Sequence, residues 1–203
     1  TNRDGSIFHL NLLPEDISDK IILVGDPGRV DMMSELLQEV RVRKENREFK
    51  TVTGIYDNNE ITIISSGIGT DNIDILINEL DALVNIDLKT GEEKEEPLSL
   101  TLIRLGTSGG LRSDVPAGSF VVTETAVGFD GLLHFYSGYD WILDTLLSDL
   151  LAEYLEWPDT LCYPYAVKAD EQLAGLFDTD KFIKGITIST PGFYGPQGRR
   201  LRL

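Results

Sequence analysis

Three glycine-bearing loops and a handful of arginines hold the chemistry this chain can do. Gly25-Asp26-Pro27-Gly28-Arg29, Ser65-Ser66-Gly67-Ile68-Gly69 and Gly106-Thr107-Ser108-Gly109-Gly110 each follow a short apolar run. Glycine lets backbone N–H groups close in on an anion. Ligands of open α/β sheets sit beyond the carboxyl ends of the strands. Arg29 closes the first loop, Arg47 sits in Asn46-Arg47-Glu48-Phe49, and Arg104 lies two residues before Gly106. A guanidinium does not deprotonate, and burying one unpaired is costly. At the end of what reads as a buried strand, Arg104 therefore requires an anion, either a carboxylate of this chain or a ligand. Arg29 and Arg47 read by themselves as surface cations or salt-bridge partners. Phe193-Tyr194-Gly195-Pro196-Gln197-Gly198-Arg199 reads by itself as a Gly/Pro turn with a solvated glutamine and arginine. His9 reads as a partly buried histidine near the start of the chain.

The elements around these residues alternate. Lys20–Gly25 is a β-branched run that predicts a buried strand. Apolar spacing over Arg29–Val40 predicts a helix. Phe49–Gly67 predicts a hairpin around Asp57-Asn58-Asn59. Asp71–Val84 predicts a helix with Ile73, Ile77, Leu80 and Leu83 near one face. Lys89–Pro97 is a charge run that reads as a solvated connection. Ser99–Gly106 and Ser119–Gly128 predict strands. Trp141–Trp157 predicts a helix, with an apolar stripe read as core or subunit contact. Gly185–Thr190 predicts a last strand. With no repeats and no flexible linker, residues 1–203 read as one α/β domain. The Gly- and Arg-rich ending has no closing helix, which leads us to expect that a C-terminal part is missing.

Composition narrows the chemistry. With 34 acidic and 18 basic residues the net charge is -16, so no nucleic-acid partner and no anionic membrane partner is expected. Phosphate is repelled as well, except where arginines gather. One cysteine, Cys162, excludes an internal disulfide and suits a reducing compartment. No apolar run approaches a membrane span, and residues 1–20 carry no signal-peptide pattern; we expect a cytoplasmic protein. The P-loop and the complete Gly-x-Gly-x-x-Gly pattern are absent, which argues against ATP, GTP and NAD. Two histidines and one cysteine argue against a catalytic zinc, so no metal is expected. No Gly-x-Ser-x-Gly elbow supports a serine nucleophile.

Taken together, the motifs resemble the nucleoside phosphorylase family, specifically its uridine phosphorylase branch. The matching stretches are Phe8–Leu10, Val24–Val30, Arg47–Phe49, Ser65–Gly69, Ile77–Leu80, Ile103–Gly110 and Gly192–Arg199, in the family's order along nearly the whole chain. The resemblance implies a three-layer αβα sandwich with a mixed, strongly twisted central sheet. It implies that Gly25, Arg29, Arg104 and Thr107 hold phosphate, and that Arg47 reaches the phosphate site of a neighbouring subunit. It implies that His9 contacts the ribose 5′-hydroxyl across the same dimer contact, while Phe193, Gln197 and Arg199 hold a pyrimidine. The catalytic residues so implied are Arg29, Arg104 and Arg199. Assembly as a homodimer, or a hexamer of dimers, follows from the same resemblance. It implies no cofactor, with inorganic phosphate as a co-substrate.

The implied reaction is phosphorolysis of uridine to uracil and ribose 1-phosphate, in nucleoside salvage. Arginines offset the charge of phosphate and aim it at the anomeric carbon. The donor and acceptor of Gln197 suit the alternating edge of uracil, and Arg199 can stabilise charge developing on O4. A purine nucleoside phosphorylase and a non-catalytic nucleoside- or phosphate-binding paralogue are the alternatives. A nucleosidase fits less well, since those relatives generally lack the phosphate arginines. Two departures stand out. Asp71 and Asn72 replace a Pro-Ser found after the second glycine loop, which leaves open a monovalent cation near Glu48. The family's Met-Glu-x-Glu ribose segment has no counterpart before Leu203.

Overall fold

Strand β1 (Lys20–Val24) carries branched or aliphatic side chains on both faces, and both faces are covered. Successive side chains of a strand point to opposite sides. Ile21 and Leu23 join one apolar cluster, with Ile7, Leu10, Leu12, Ile17, Phe49, Ile64, Leu76, Leu80 and Leu83. Val24 joins a second, with Val30, Val52 and Ile63, against which Ile22 and Met33 pack. Helix α1 (Pro27–Ser34) supplies Val30 and Met33 to the second cluster, and α2 (Thr70–Asn85) supplies Leu76, Leu80 and Leu83 to the first. The computed structural model describes residues 1–202. These residues fall into two compact units, Thr1–Thr107 and a second beginning at Ser108.

The first unit is helix, sheet, helix. Its other strands are β2 (Glu39–Asn46), β3 (Phe49–Tyr56), β4 (Asn59–Ser65) and β5 (Thr101–Leu105), in the order β2-β3-β4-β1-β5. β4, β1 and β5 run parallel, while β2, β3 and β4 pair antiparallel, so the sheet is mixed. The β3–β4 turn is tight because Asp57 and Asn58 both adopt positive φ, 45° and 61°, and Tyr56 pairs with Asn59. Two left-handed residues between paired ends give the turn whose twist matches the strands. In α1, Pro27 takes the first turn and the Asp26 side chain accepts the Gly28 N–H at 2.8 Å.

In the second unit, β6 (Phe120–Gly128) is flanked by β7 (Tyr165–Lys168), antiparallel, and β8 (Phe182–Ser189), parallel. Helices α3 (Thr145–Tyr154) and α4 (Glu171–Gly175) complete it. The α/β class, the mixed sheets and the flanking helices are as expected.

Several boundaries are not. The helix expected over Arg29–Val40 stops at Ser34, and its last residues open β2. The Gln38 N–H donates to Ile55 O, and β2 then pairs with β3 through a bulge between Val40 and Val42. Ladder pairing there outweighs the helical spacing of Leu36, Leu37 and Val40. On α2 the buried positions are Leu76, Leu80 and Leu83, whereas Ile77 is exposed. The helix expected from Trp141 begins instead at Thr145, because the Asp144 side chain caps the Leu147 N–H at 3.0 Å. It ends at Tyr154, just before Glu156 turns to φ 47°. Strand β7 and helix α4 are additional to the expected elements. The Lys89–Pro97 run is exposed, as its charge predicts.

Candidate active site

Parallel pairing fixes where the glycine loops emerge. Val24 aligns with Ser65 of β4 and Leu105 of β5. The loops beginning at Gly25, Ser66 and Gly106 therefore leave three adjacent strands at one end of the sheet. They are close: the Ser66 N–H donates to Val24 O at 2.7 Å, and a side chain on Gly25 would meet Gly67 O at 3.8 Å. Arg29 stands in the first turn of α1, leading away from Gly25.

Antiparallel pairing brings Arg47 to the same end. β3 starts where β4 finishes, with Thr51 opposite Ile64. The two-residue β2–β3 turn, Arg47-Glu48, is tied there by Ser65 Oγ, which donates to Glu48 O at 2.6 Å and accepts the Lys50 N–H at 2.8 Å. Arg47 itself takes a left-handed φ of 57° and its side chain is exposed. His9 is held at that end too, because Asn46 Nδ2 donates to His9 O at 2.7 Å.

Arg104 departs from the expectation of burial. β5 is an edge strand of its sheet, and its last two residues are exposed. No buried charge has to be neutralised there. The side chain instead folds back over Gly106, where an added Cβ would stand 2.6 Å from Arg104 Nη1. Thr107, at the end of the unit, is exposed.

The arginines divide into two kinds. Arg41 grips Glu60, Arg43 grips Asp31 and Arg112 grips Asp114. Among the described residues, Arg29, Arg47 and Arg104 have no carboxylate within ion-pair distance. In a chain of net charge -16, these three cations stand at one sheet end without a carboxylate partner among the described residues.

The loop after β8 gathers Phe193, Gln197 and Arg199. The Arg199 guanidinium lies 4.1 Å from the centroid of the Phe193 ring, a cation–π geometry. Gln197 Nε2 donates to Thr190 Oγ1 at 3.2 Å, and that hydroxyl donates to Gly192 O at 2.8 Å. The loop closes through the Arg199 N–H on Tyr194 O at 2.8 Å, with Gly198 at φ 66°. All three side chains are exposed. Thr190, which steadies Gln197, carries no motif signal of its own.

Glu79 is the residue that sequence reasoning passed over. Its carboxylate accepts the His9 Nδ1–H at 2.6 Å, the His9 backbone N–H at 2.9 Å and the Leu10 N–H at 2.9 Å. It stands inside Ile77–Leu80, a stretch matched as a motif but read only as helix. Among the described residues no cluster of three or more His, Cys, Asp and Glu could hold a metal ion, and no helix is long and apolar enough to cross a membrane.

The profile of the phosphorylase superfamily matches residues 19–203. A uridine phosphorylase of Thermococcus kodakarensis is 29% identical over 196 residues, 97% of this chain and 59% of its own. A guanosine phosphorylase of Halorubrum lacusprofundi is 32% identical over 133 residues, 66% of this chain and 49% of its own. The crystal structure of a Trypanosoma brucei nucleoside phosphorylase that shows uridine phosphorylase activity superposes with a TM-score of 0.84 at 28% identity, covering 99% of this chain and 71% of that one. The chain thus spans about half to three fifths of the length of these curated relatives. A profile match over most of the chain, on a fold shared with a solved nucleoside phosphorylase, makes this chain a member of the phosphorylase superfamily, in its nucleoside phosphorylase family.

Proposed function

We propose that the full-length protein is a pentosyltransferase that cleaves uridine with inorganic phosphate, giving uracil and ribose 1-phosphate in cytoplasmic nucleoside salvage. The observation that carries this reading is the set of arginines, Arg29, Arg47 and Arg104, left without internal carboxylates at the end of the sheet where the glycine loops emerge. Gly25, Thr107 and these arginines bind phosphate, with Arg47 lent by a neighbouring subunit of a homodimer or of a hexamer of dimers. A phosphate oxygen attacks the anomeric carbon as the bond to N1 breaks, the electron pair of that bond leaves with the base, and the proton that hydrogen phosphate gives up on forming the ester ends on N1 of the released uracil. Charge-assisted hydrogen bonds of about 1.5–3 kcal/mol each hold the nucleophile. Phe193 packs against the nucleoside, Gln197 reads the base edge, and Arg199 stabilises the charge that builds on O4. His9 binds the 5′-hydroxyl.

The base is the point of choice. Relatives carry both uridine and guanosine phosphorylase names, while the Gln197–Arg199 pair suits a pyrimidine edge. A phosphate-dependent assay of the full-length protein against uridine, thymidine, inosine and guanosine, reading ribose 1-phosphate, tests both parts. Uridine is expected to be the preferred substrate. Cleavage that proceeds equally well without phosphate overturns the phosphorylase reading; faster turnover of inosine or guanosine moves the substrate to the purine class.

A further inference from the structure

We infer that Glu79 is a positioning residue: it sets the tautomer and direction of His9, so that the imidazole presents Nε2 as an acceptor to the sugar hydroxyl. This rests on the proposed role of His9 and goes further, since no role for Glu79 follows from that reading. Glu79 sits on α2, 70 positions along the chain from His9, yet three N–H groups converge on its carboxylate. Oε1 accepts the His9 Nδ1–H at 2.6 Å, and Oε2 accepts the His9 and Leu10 backbone N–H groups at 2.9 Å each. A carboxylate only accepts, so Nδ1 carries a proton, and in the neutral imidazole that leaves Nε2 with its lone pair.

The rest of the environment holds the ring to that choice. The His9 carbonyl is fixed by Asn46 Nδ2 at 2.7 Å, and the Phe8 ring stands edge-on to the imidazole at 4.8 Å between centroids. Among the described residues, nothing bonds to Nε2. The His9 side chain keeps 28% of its surface exposed while that of Glu79 keeps 14%. One nitrogen is spent on a half-buried anchor and the other is offered outward. A purely structural carboxylate could cap the two backbone N–H groups without engaging the ring, and this one engages all three.

The test compares uridine with 5′-deoxyuridine, which lacks only the hydroxyl concerned, in the full-length enzyme. His9→Ala is expected to cut kcat/KM for uridine at least about tenfold, the worth of one hydrogen bond, while sparing 5′-deoxyuridine. Glu79→Gln keeps an oxygen for the backbone N–H groups but turns an amide N–H toward Nδ1, which reverses the tautomer. It is expected to lower uridine turnover toward the His9→Ala level, again sparing 5′-deoxyuridine, and the double variant is expected to be no worse than His9→Ala alone. Glu79→Asp, with the carboxylate drawn back from Nδ1, serves where Glu79→Gln melts early. Equal loss on both substrates, or no loss on either, in the Glu79 variants overturns the positioning role while His9 keeps its own. A His9→Ala enzyme that retains its full preference for uridine overturns the His9 reading and this inference together.

Discussion

At the residue scale, the decisive feature is which charges are already satisfied. Arg104 has no carboxylate partner among the described residues and lies over a glycine loop. Replacing it by alanine removes charge-assisted bonds that we place on phosphate, and the expected loss is about 2.7–4 kcal/mol of transition-state stabilisation, or roughly 10²–10³ in kcat/KM. Steady-state kinetics with varied phosphate measures it; thermal protection by phosphate should vanish as well, since ligand stabilisation depends on binding the folded state. Retention of near-normal phosphorolysis by Arg104→Ala would remove Arg104 from the site. Tyr165 illustrates the opposite case, a half-buried polar group already partnered within the fold. Burial first, then its hydrogen bond to Asp130 at 2.6 Å, pushes its phenol well above the ordinary value of 10.0. A raised pKa means that the folded state holds its proton longer than the unfolded chain does. Its contribution is whole below pH about 10 and is lost as pH climbs above that. Alkaline unfolding followed by circular dichroism should therefore steepen above that point, and Tyr165→Phe should flatten the slope.

At the scale of elements, the loops work because strands and glycines deliver them together. Gly106 has no left-handed requirement; Arg104 Nη1 occupies the space a Cβ would take, at 2.6 Å. The crowding atom is the end of a flexible side chain, so it can yield without strain on the backbone. Gly106→Ala is expected to leave the melting temperature nearly unchanged while displacing the guanidinium, raising the KM for phosphate about tenfold. A large fall in melting temperature with an unchanged KM would show that the glycine serves folding alone. Such relations mark what the sequence could reveal. β1, the β3–β4 hairpin, α2 and the order of the loops were legible, because each has a strong period or a turn with its own chemistry. β2 was not: Leu36, Leu37 and Val40 mimic a helical face, and only pairing with β3 decides for a strand. The exposure of Arg104 was not legible either, since an apolar strand reads the same at the edge of a sheet as at its centre. Glu79 was hidden because a carboxylate on an amphipathic helix reads as solvated until the distant segment carrying His9 folds onto it.

At the scale of the whole molecule, the question is who owns each cation. Arg47 stands in the turn of the outermost hairpin of its sheet, with an exposed side chain and no carboxylate partner among the described residues. The turn lies at the sheet end where the glycine loops emerge, and an exposed side chain there is open to a neighbouring subunit as well as to its own. If Arg47 is lent across a two-fold contact while Arg104 acts at home, the two alanine variants fail for complementary reasons. Every site in an Arg47→Ala homodimer lacks the lent cation; every site in an Arg104→Ala homodimer lacks the resident one. In a mixed dimer one site lacks both and the other is intact. Co-expression of the two variants with random pairing should put half the dimers in the mixed class, so about a quarter of wild-type activity should return from two nearly inactive parents. The same fraction holds for a hexamer built from such dimers. Differently tagged subunits, purified through both tags, would isolate the mixed dimer and raise the recovery to about half. Mixed dimers no more active than their parents would mean that both arginines serve one subunit's own site, and the shared arrangement would be wrong even if the reaction is right.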